Sequence, residues 1–185
     1  MVKMVSIDIG CGKRKYSNSI GLDKIKIGDV DIICDVDNYG LPFKKNTIDF
    51  VYTRHFLEHV QNFEFVVKEI HRVVKPDGKI DVIVPHFSNS LAYSDFTHKR
   101  YFGYYTFDYF SPMNYQGGRK VPEYYTDFKF KIIRKKLMFT HYPIIKNVFN
   151  KIFNSSEIFS KIYESYLTFM FPCYEIEYIL KPIKK

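Results

Sequence analysis

The chain reads as an α/β protein built around a mostly parallel sheet. Short apolar runs end again and again in a loop-forming or polar residue: Gly10, Asp23, Asp35, Arg54 and Pro85. Loop or helical crossovers separate these runs, the pattern of a parallel sheet with covered faces. In such a sheet the carboxyl ends of the strands form one rim, and ligands sit beyond it near the point where strand order reverses.

Residues 2–9 alternate and then run apolar up to glycine, predicting a buried first strand. Short strands follow at 19–23 and at 31–36, "DIICDV", and then a loop broken by Gly40 and Pro42. Residues 47–54, "TIDFVYTR", make a fourth strand. Asn62 can cap a helix whose apolar residues Phe63, Val66, Val67, Ile70, Val73 and Val74 fall at helical spacing. "KPDG" at 75–78 should stop that helix and turn the chain into a fifth strand, 79–84. From Pro85 to about Tyr125 the pattern fails in a segment rich in Tyr and Phe, the kind of long irregular stretch that serves as a lid or substrate loop. Residues 128–138 and 174–180 alternate like strands, and two amphipathic helices broken near Asn154 are expected between them.

Length and composition fit one globular domain: 185 residues, 46% hydrophobic and 26% charged. The net charge of +8 suits an anionic partner, while a lysine-rich solvated surface explains it equally simply. Cys11, Cys34 and Cys173 are scattered and form no CxxC pair, so neither a zinc knuckle nor a disulfide framework is indicated. The N-terminus lacks a signal-peptide pattern and no apolar run reaches a membrane span, so a cytoplasmic protein is expected, with peripheral membrane contact open.

The first loop narrows the cofactor. Only about ten residues separate Ile9 from Ser19, too few for a full crossover helix. A dinucleotide site would place its third glycine where Lys15 stands, which argues against NAD or FAD. S-adenosylmethionine has no pyrophosphate to seat. Gly10 and Gly12 can supply the turn for close backbone approach, Asp23 can accept from both ribose hydroxyls, and Asp8 can meet the ammonium group. Lys13, Arg14 or Lys15 can face the methionine carboxylate in place of the missing helix dipole.

With "IDIGCG" (7–12), "GLD" (21–23), "CDVDNYGLPFKKNTIDFVYTRHFLEHV" (34–60) and "EIHRVVKPDGKIDVIVPHF" (69–87), the sequence resembles the class I S-adenosylmethionine-dependent methyltransferases of the small methyltransferase-11 type. The resemblance is detailed over the first half of the chain. It implies a Rossmann-like seven-stranded sheet closed by an antiparallel hairpin, with the helical insertion before the last strand. It implies a single methyltransferase domain over 1–185: a cofactor half at 1–84, an aromatic substrate or lid segment at 85–126, and the last hairpin at 127–185 with its insertion at 143–171. Asp8, Gly10, Cys11 and Gly12 would form the first cofactor motif, Asp23 would hold the ribose, Asp35 and the Val36 backbone would take the adenine, and Arg54 and His55 would pass near the sulfonium. The shortened loop, which lacks a glycine at position 14, departs from the family pattern and touches the methionine-carboxylate contacts.

Methyl transfer to a hydroxyl needs alignment and a base of near-neutral pKa, which points to histidine. His55 and His86 follow the fourth and fifth strands, and His98 lies in "SDFTHKRYF" with Asp95 to orient it. His59 is assigned instead to capping or packing the next helix. A metal held by His86, Asp95 and His98 matches no firm spacing, and none is expected. The expected acceptor is a small molecule or glycan, including a lipid-linked one. The insertion at 143–171 would cover the pocket, form a homodimer or rest on anionic lipid. RNA or DNA methylation is the second enzyme reading, but "YTRHF" stands where base-amino methylation expects (D/N)PP(Y/F). A catalytically silent, methyltransferase-like partner protein is the third.

Overall fold

The computed structural model describes residues 4–116, 120–140 and 145–184. Residues 2 and 3 of the expected first strand, Gly117 and Gly118, and residues 143 and 144 of the insertion lie outside the described residues.

Seven strands form one sheet: β1 (Ser6–Ile9), β2 (Ile20–Asp23), β3 (Ile32–Ile33), β4 (Ile48–Arg54), β5 (Val74–Pro85), β6 (Lys129–Met138) and β7 (Glu175–Ile183). Their order is β3-β2-β1-β4-β5-β7-β6. The first five pair in parallel, and β7 runs antiparallel to both β5 and β6. The order reverses between β1 and β4, so the carboxyl ends of those two strands mark the expected ligand crevice. This is the α/β seven-stranded sheet that the sequence implied.

β1 is buried on both faces, with Ile7 and Ile9 fully inaccessible, as a central parallel strand requires. No helix joins β1 to β2; the loop makes turns only. The face a helix would cover is partly covered by Tyr16, whose ring packs 4.6 Å from Tyr52 and 5.4 Å from Phe50, both on β4. The Asp8 carboxylate accepts the Tyr16 backbone N–H at 2.7 Å and so holds the loop in place.

The segment read as a plain loop after β3 begins with one helical turn, α1 (Val36–Tyr39), capped by Asp35. The helix α2 (Phe63–Val73) buries Val66, Val67, Ile70 and Val73, each contributing roughly 1.5–3 kcal/mol. Its expected cap differs: the Asn62 side chain makes no capping bond and donates instead to the Asp37 carbonyl. The Asp37 carboxylate accepts the backbone N–H groups of Gln61 and Asn62, both at 2.7 Å, and so ties α1 to the start of α2. "KPDG" ends α2 as expected but does not precede the strand. β5 starts at Val74, and these residues form an irregularity in its pairing with β4, between Ile48 and Phe50.

The aromatic segment is mostly core. Phe102 and Phe107 are 1% exposed, and Phe102, Phe107 and Phe110 pack edge-on around Phe63 at the head of α2. It contains the short helix α3 (Ser90–Ser94) and three single 3₁₀ turns. Between β6 and β7 lie α4 (Lys146–Phe153) and α5 (Glu157–Ile162), the latter running into a π-helical turn at Tyr163–Leu167. Phe153 and Tyr163 anchor this insertion on Phe139. Among the described residues no helix is long and apolar enough to cross a membrane.

Candidate active site

A cavity of about 580 Å³ opens at the carboxyl rim where the strand order reverses. Gly10, Asp23, Asp35 and Val36 line one side of it, and His55, His59, Phe96 and Thr97 the other. Its size falls within the range of small-molecule and cofactor sites.

Gly10 and Gly12 both have positive φ, +73° and +54°. A Cβ on Gly10 would come within 2.6 Å of Phe56, a cavity residue, so the glycine is required for close approach as well as for conformation. The backbone N–H of Gly10 donates to the Leu22 carbonyl at 2.8 Å and pins the loop to β2. Asp23 accepts the Gly12 N–H on one carboxylate oxygen and the Ile25 N–H on the other, each at 3.1 Å. Each oxygen keeps a further lone pair. Asp35 accepts from the Asn38 backbone and side chain, at 3.3 and 2.8 Å, while lining the cavity.

Several expected site residues turn elsewhere. Asp8 is buried beneath the loop and does not line the cavity; burial pushes its carboxyl up to about 6, a rise that the Tyr16 N–H bond opposes and the Asp23 charge assists. Burial likewise pushes the Cys11 thiol up to about 11, and its sulfur packs over Gly21, so it is a packing residue and no nucleophile. Lys15 is drawn away to Asp31, 2.7 Å distant, and neither Lys13 nor Arg14 lines the cavity. Arg54 pairs with Glu175 of β7 at 2.8 Å and does not line the cavity either.

His55 sits in the left-handed region, φ +53°, between two carboxylates. Its Nε2 is 2.6 Å from Glu175 and its Nδ1 is 3.1 Å from Glu58. Burial alone would depress the imidazole, but the bonds to Glu175 and Glu58 outweigh it and push His55 up to about 9. His55 is therefore held as a cation at neutral pH. This corrects its assignment as a base: the same carboxylates that orient it fill it with a proton.

His86 is fully buried and does not line the cavity. Its Nε2 faces Glu164 at 2.9 Å, and its Nδ1 accepts the Ser88 N–H. Glu164 in turn accepts the Tyr104 N–H at 2.7 Å. His86 thus belongs to a core network that fastens the insertion to β5. The trio His86, Asp95 and His98 is not brought together. Asp95 and His98 are, with 3.7 Å between Asp95 Oδ2 and His98 Nε2.

Beside these stand Glu58 and Glu175, which the sequence did not signal, and His59, which it assigned to capping or packing. Glu58, three positions after His55, is 1% exposed, and one of its oxygens has no hydrogen-bond partner. His59 lines the cavity and its ring lies 4.8 Å from that of His98, edge to face. Neither was signalled strongly, since an i, i+3 acid beside a histidine is common on any turn. Glu175 lies too far along the chain for local spacing to reveal it. The insertion does not cover the pocket, for none of the described residues of 145–171 lines it.

Residues 7–82 match the protein-family profile described as a methyltransferase domain. The sterol 4-C-methyltransferase strm-1 of Caenorhabditis elegans is 37% identical over 71 residues, 38% of this chain but only 20% of that relative's length. A SAM-dependent methyltransferase from Archaeoglobus fulgidus superposes with a TM-score of 0.56 at 19% identity, over 97% of this chain and 86% of that one. A chain from the complex between the Haloferax volcanii Trm112 methyltransferase activator and a methyltransferase superposes with a TM-score of 0.58 at 14% identity, over 100% of this chain and 86% of that one. At these identities the structural likenesses speak for the fold. Residues 7–82 thus resemble a methyltransferase domain, and the chain as a whole shares the seven-stranded fold of these S-adenosylmethionine-dependent methyltransferases.

Proposed function

We propose that the chain binds S-adenosylmethionine in the rim cavity and transfers its methyl group to a hydroxyl of a small-molecule or glycan acceptor. The observation that carries this reading is the cavity lined by Gly10, Asp23, Asp35 and Val36 at the reversal of strand order. Asp23 would use its remaining lone pairs on the ribose hydroxyls, and Asp35 would accept from the adenine amino group beside Val36. Phe56 and Val60 supply apolar wall. In the transfer, the acceptor oxygen bonds to the methyl carbon as the carbon–sulfur bond breaks, leaving a neutral thioether. The hydroxyl proton would leave to His59 on the cavity wall, whose Nδ1 lies 2.9 Å from the Thr97 hydroxyl.

Calorimetric titration tests the cofactor. S-adenosylmethionine and S-adenosylhomocysteine are expected to bind in the micromolar range while NAD does not, and Asp23→Ala is expected to weaken both ligands by roughly 100-fold, the loss of two hydrogen bonds to a charged group. If neither ligand binds, the silent-partner reading takes over.

The nucleic-acid reading draws less support. Of the five basic residues in β6, Arg134 pairs with Glu177, Lys135 with Asp108, Lys129 donates to the Glu123 carbonyl and Lys131 lies over the Tyr115 ring, so four of them are already engaged within the chain. The insertion favours a lipid-linked acceptor: Ile158, Tyr166, Phe169 and Met170 are exposed, alongside the exposed Lys146 and Lys151. Co-sedimentation with anionic vesicles should be seen at low salt and should fall in a Phe169→Ser, Met170→Ser variant. A dimer in solution without vesicle binding would reassign this face to a second copy.

A further inference from the structure

We propose that Glu58, His59 and His98 form a binding site for a divalent transition-metal ion, of which zinc is the representative, beside the rim cavity that His59 lines. One ligand atom from each of the three lies within 4.8 Å of the others, which a closure of about 1 Å brings to coordination spacing. The donor set, two imidazoles and a carboxylate, suits zinc, manganese or iron better than magnesium or calcium.

Two independent observations point to an ion. Glu58 is 1% exposed; Oε1 is held by His55, but Oε2 has no partner. An unpartnered buried carboxylate oxygen is costly, and its presence calls for a counterpart. The second is the tautomer of each histidine. The Thr97 hydroxyl donates to Asp95 Oδ1 at 2.6 Å, because a carboxylate can only accept. Thr97 Oγ1 must therefore accept from His59 Nδ1, 2.9 Å away, which leaves a lone pair on His59 Nε2. His98 Nδ1 donates to the Ala92 carbonyl at 2.7 Å, which leaves a lone pair on His98 Nε2. Hydrogen bonds from the far ring nitrogen to a carbonyl or to a carboxylate-backed hydroxyl are how proteins fix metal-ligating histidines. Asp95 Oδ2, 3.7 Å from His98 Nε2, adds a nearby negative charge.

His59 and Thr97 line the cavity, so the open coordination positions face the space where an acceptor would lie. The acceptor role rests on the proposed methyl transfer: the ion would ligate the acceptor hydroxyl and acidify it, its proton leaving to solvent past exposed Asp95. Metal binding itself does not rest on that reading.

The test is calorimetric titration of zinc into the tag-free, chelator-treated full chain, repeated with cobalt to read its visible ligand-field absorption. One equivalent is expected to bind saturably. His98→Ala and His59→Ala are each expected to weaken it by about 10–100-fold or more, with loss of the cobalt bands. Glu58→Gln should act likewise. Should that buried change unfold the chain, the half-buried His59 carries the test, its fold checked by thermal melting. Absence of saturable binding, or equal binding in the His59→Ala, His98→Ala double variant, overturns the site. S-adenosylhomocysteine titrated into the same samples separates the two claims: metal bound without cofactor sinks the methyltransferase reading alone, and cofactor bound without metal sinks this one alone.

Discussion

Asp108→Ala is expected to destabilise the protein by about 3–5 kcal/mol, a fall of roughly 10 °C in Tm, because it strands a buried cation. Lys135 Nζ lies 2.5 Å from Asp108 Oδ1, and the two side chains are 7% and 0% exposed. Burial lowers the Lys135 ammonium and the Asp108 charge holds it up, so the lysine depends on this partner to stay protonated. The ammonium also lies 4.5 Å from the centre of the Tyr104 ring, which cannot replace a carboxylate. Asp108 sits in the 3₁₀ turn whose Phe107 and Phe110 enter the core, so the aromatic segment should loosen first. Urea denaturation at pH 7 and pH 9 measures the effect. In the variant the folded lysine has the lower pKa, so the unfolded chain binds the extra proton and the loss should shrink as pH rises. A compensating Asp108→Leu, Lys135→Met pair should recover most of the stability, since an apolar replacement removes both charges together. A loss under about 1 kcal/mol for the single change would mean that water reaches the lysine.

The parallel half was legible because its strands announce both ends: an apolar run, then Gly10, Asp23 or Arg54, and the structure places these at one rim. The last hairpin was legible from alternation, and β6 and β7 pair as expected. The aromatic segment was not, because periodicity carries no information about a chain that folds back as single turns. The segment reads as a lid or substrate loop in sequence, yet its Phe102 and Phe107 are core in space. Asn62 does not cap α2 because its side-chain amide is drawn to the Asp37 carbonyl, while the Asp37 carboxylate, 25 residues earlier, takes the Asn62 backbone N–H. At the candidate site, the cavity lining of Gly10, Asp23, Asp35 and Val36 was readable from local motifs. The fate of His55 was not: the carboxylate that charges it lies 120 residues away on β7. Lys15 was misdirected for a similar reason, since Asp31 competes for it across the β2 edge.

Asp8→Asn is expected to make the free protein more stable above pH 6, and its effect on cofactor affinity tells two roles of the carboxylate apart. Burial raises the Asp8 carboxyl from 3.8 to about 6. The folded chain therefore keeps a proton that the unfolded chain has already lost. Stability from this group is highest below about 3.8, falls as pH rises to about 6, and is flat beyond. Two pKa units correspond to about 3 kcal/mol at most, and the new buried amide N–H groups offset part of it, so a gain of about 1–2 kcal/mol at pH 7.5 is the expectation. The Asn carbonyl can still accept the Tyr16 N–H that Asp8 now takes, so the loop should keep its shape. Below pH 4 the advantage should vanish, because Asp8 is then neutral in both states. Denaturation midpoints measured from pH 4 to pH 8 test this half. The other half separates two roles for the same carboxylate. If Asp8 only caps the loop, S-adenosylhomocysteine should bind the variant as tightly as the parent. If the loop opens so that Asp8 meets the ligand's ammonium group, affinity should fall about tenfold or more, the worth of one charged hydrogen bond. A stabilised loop with a poorer grip would mean that the strain of burying Asp8 is retained for the ligand, the trade between stability and function that binding sites impose.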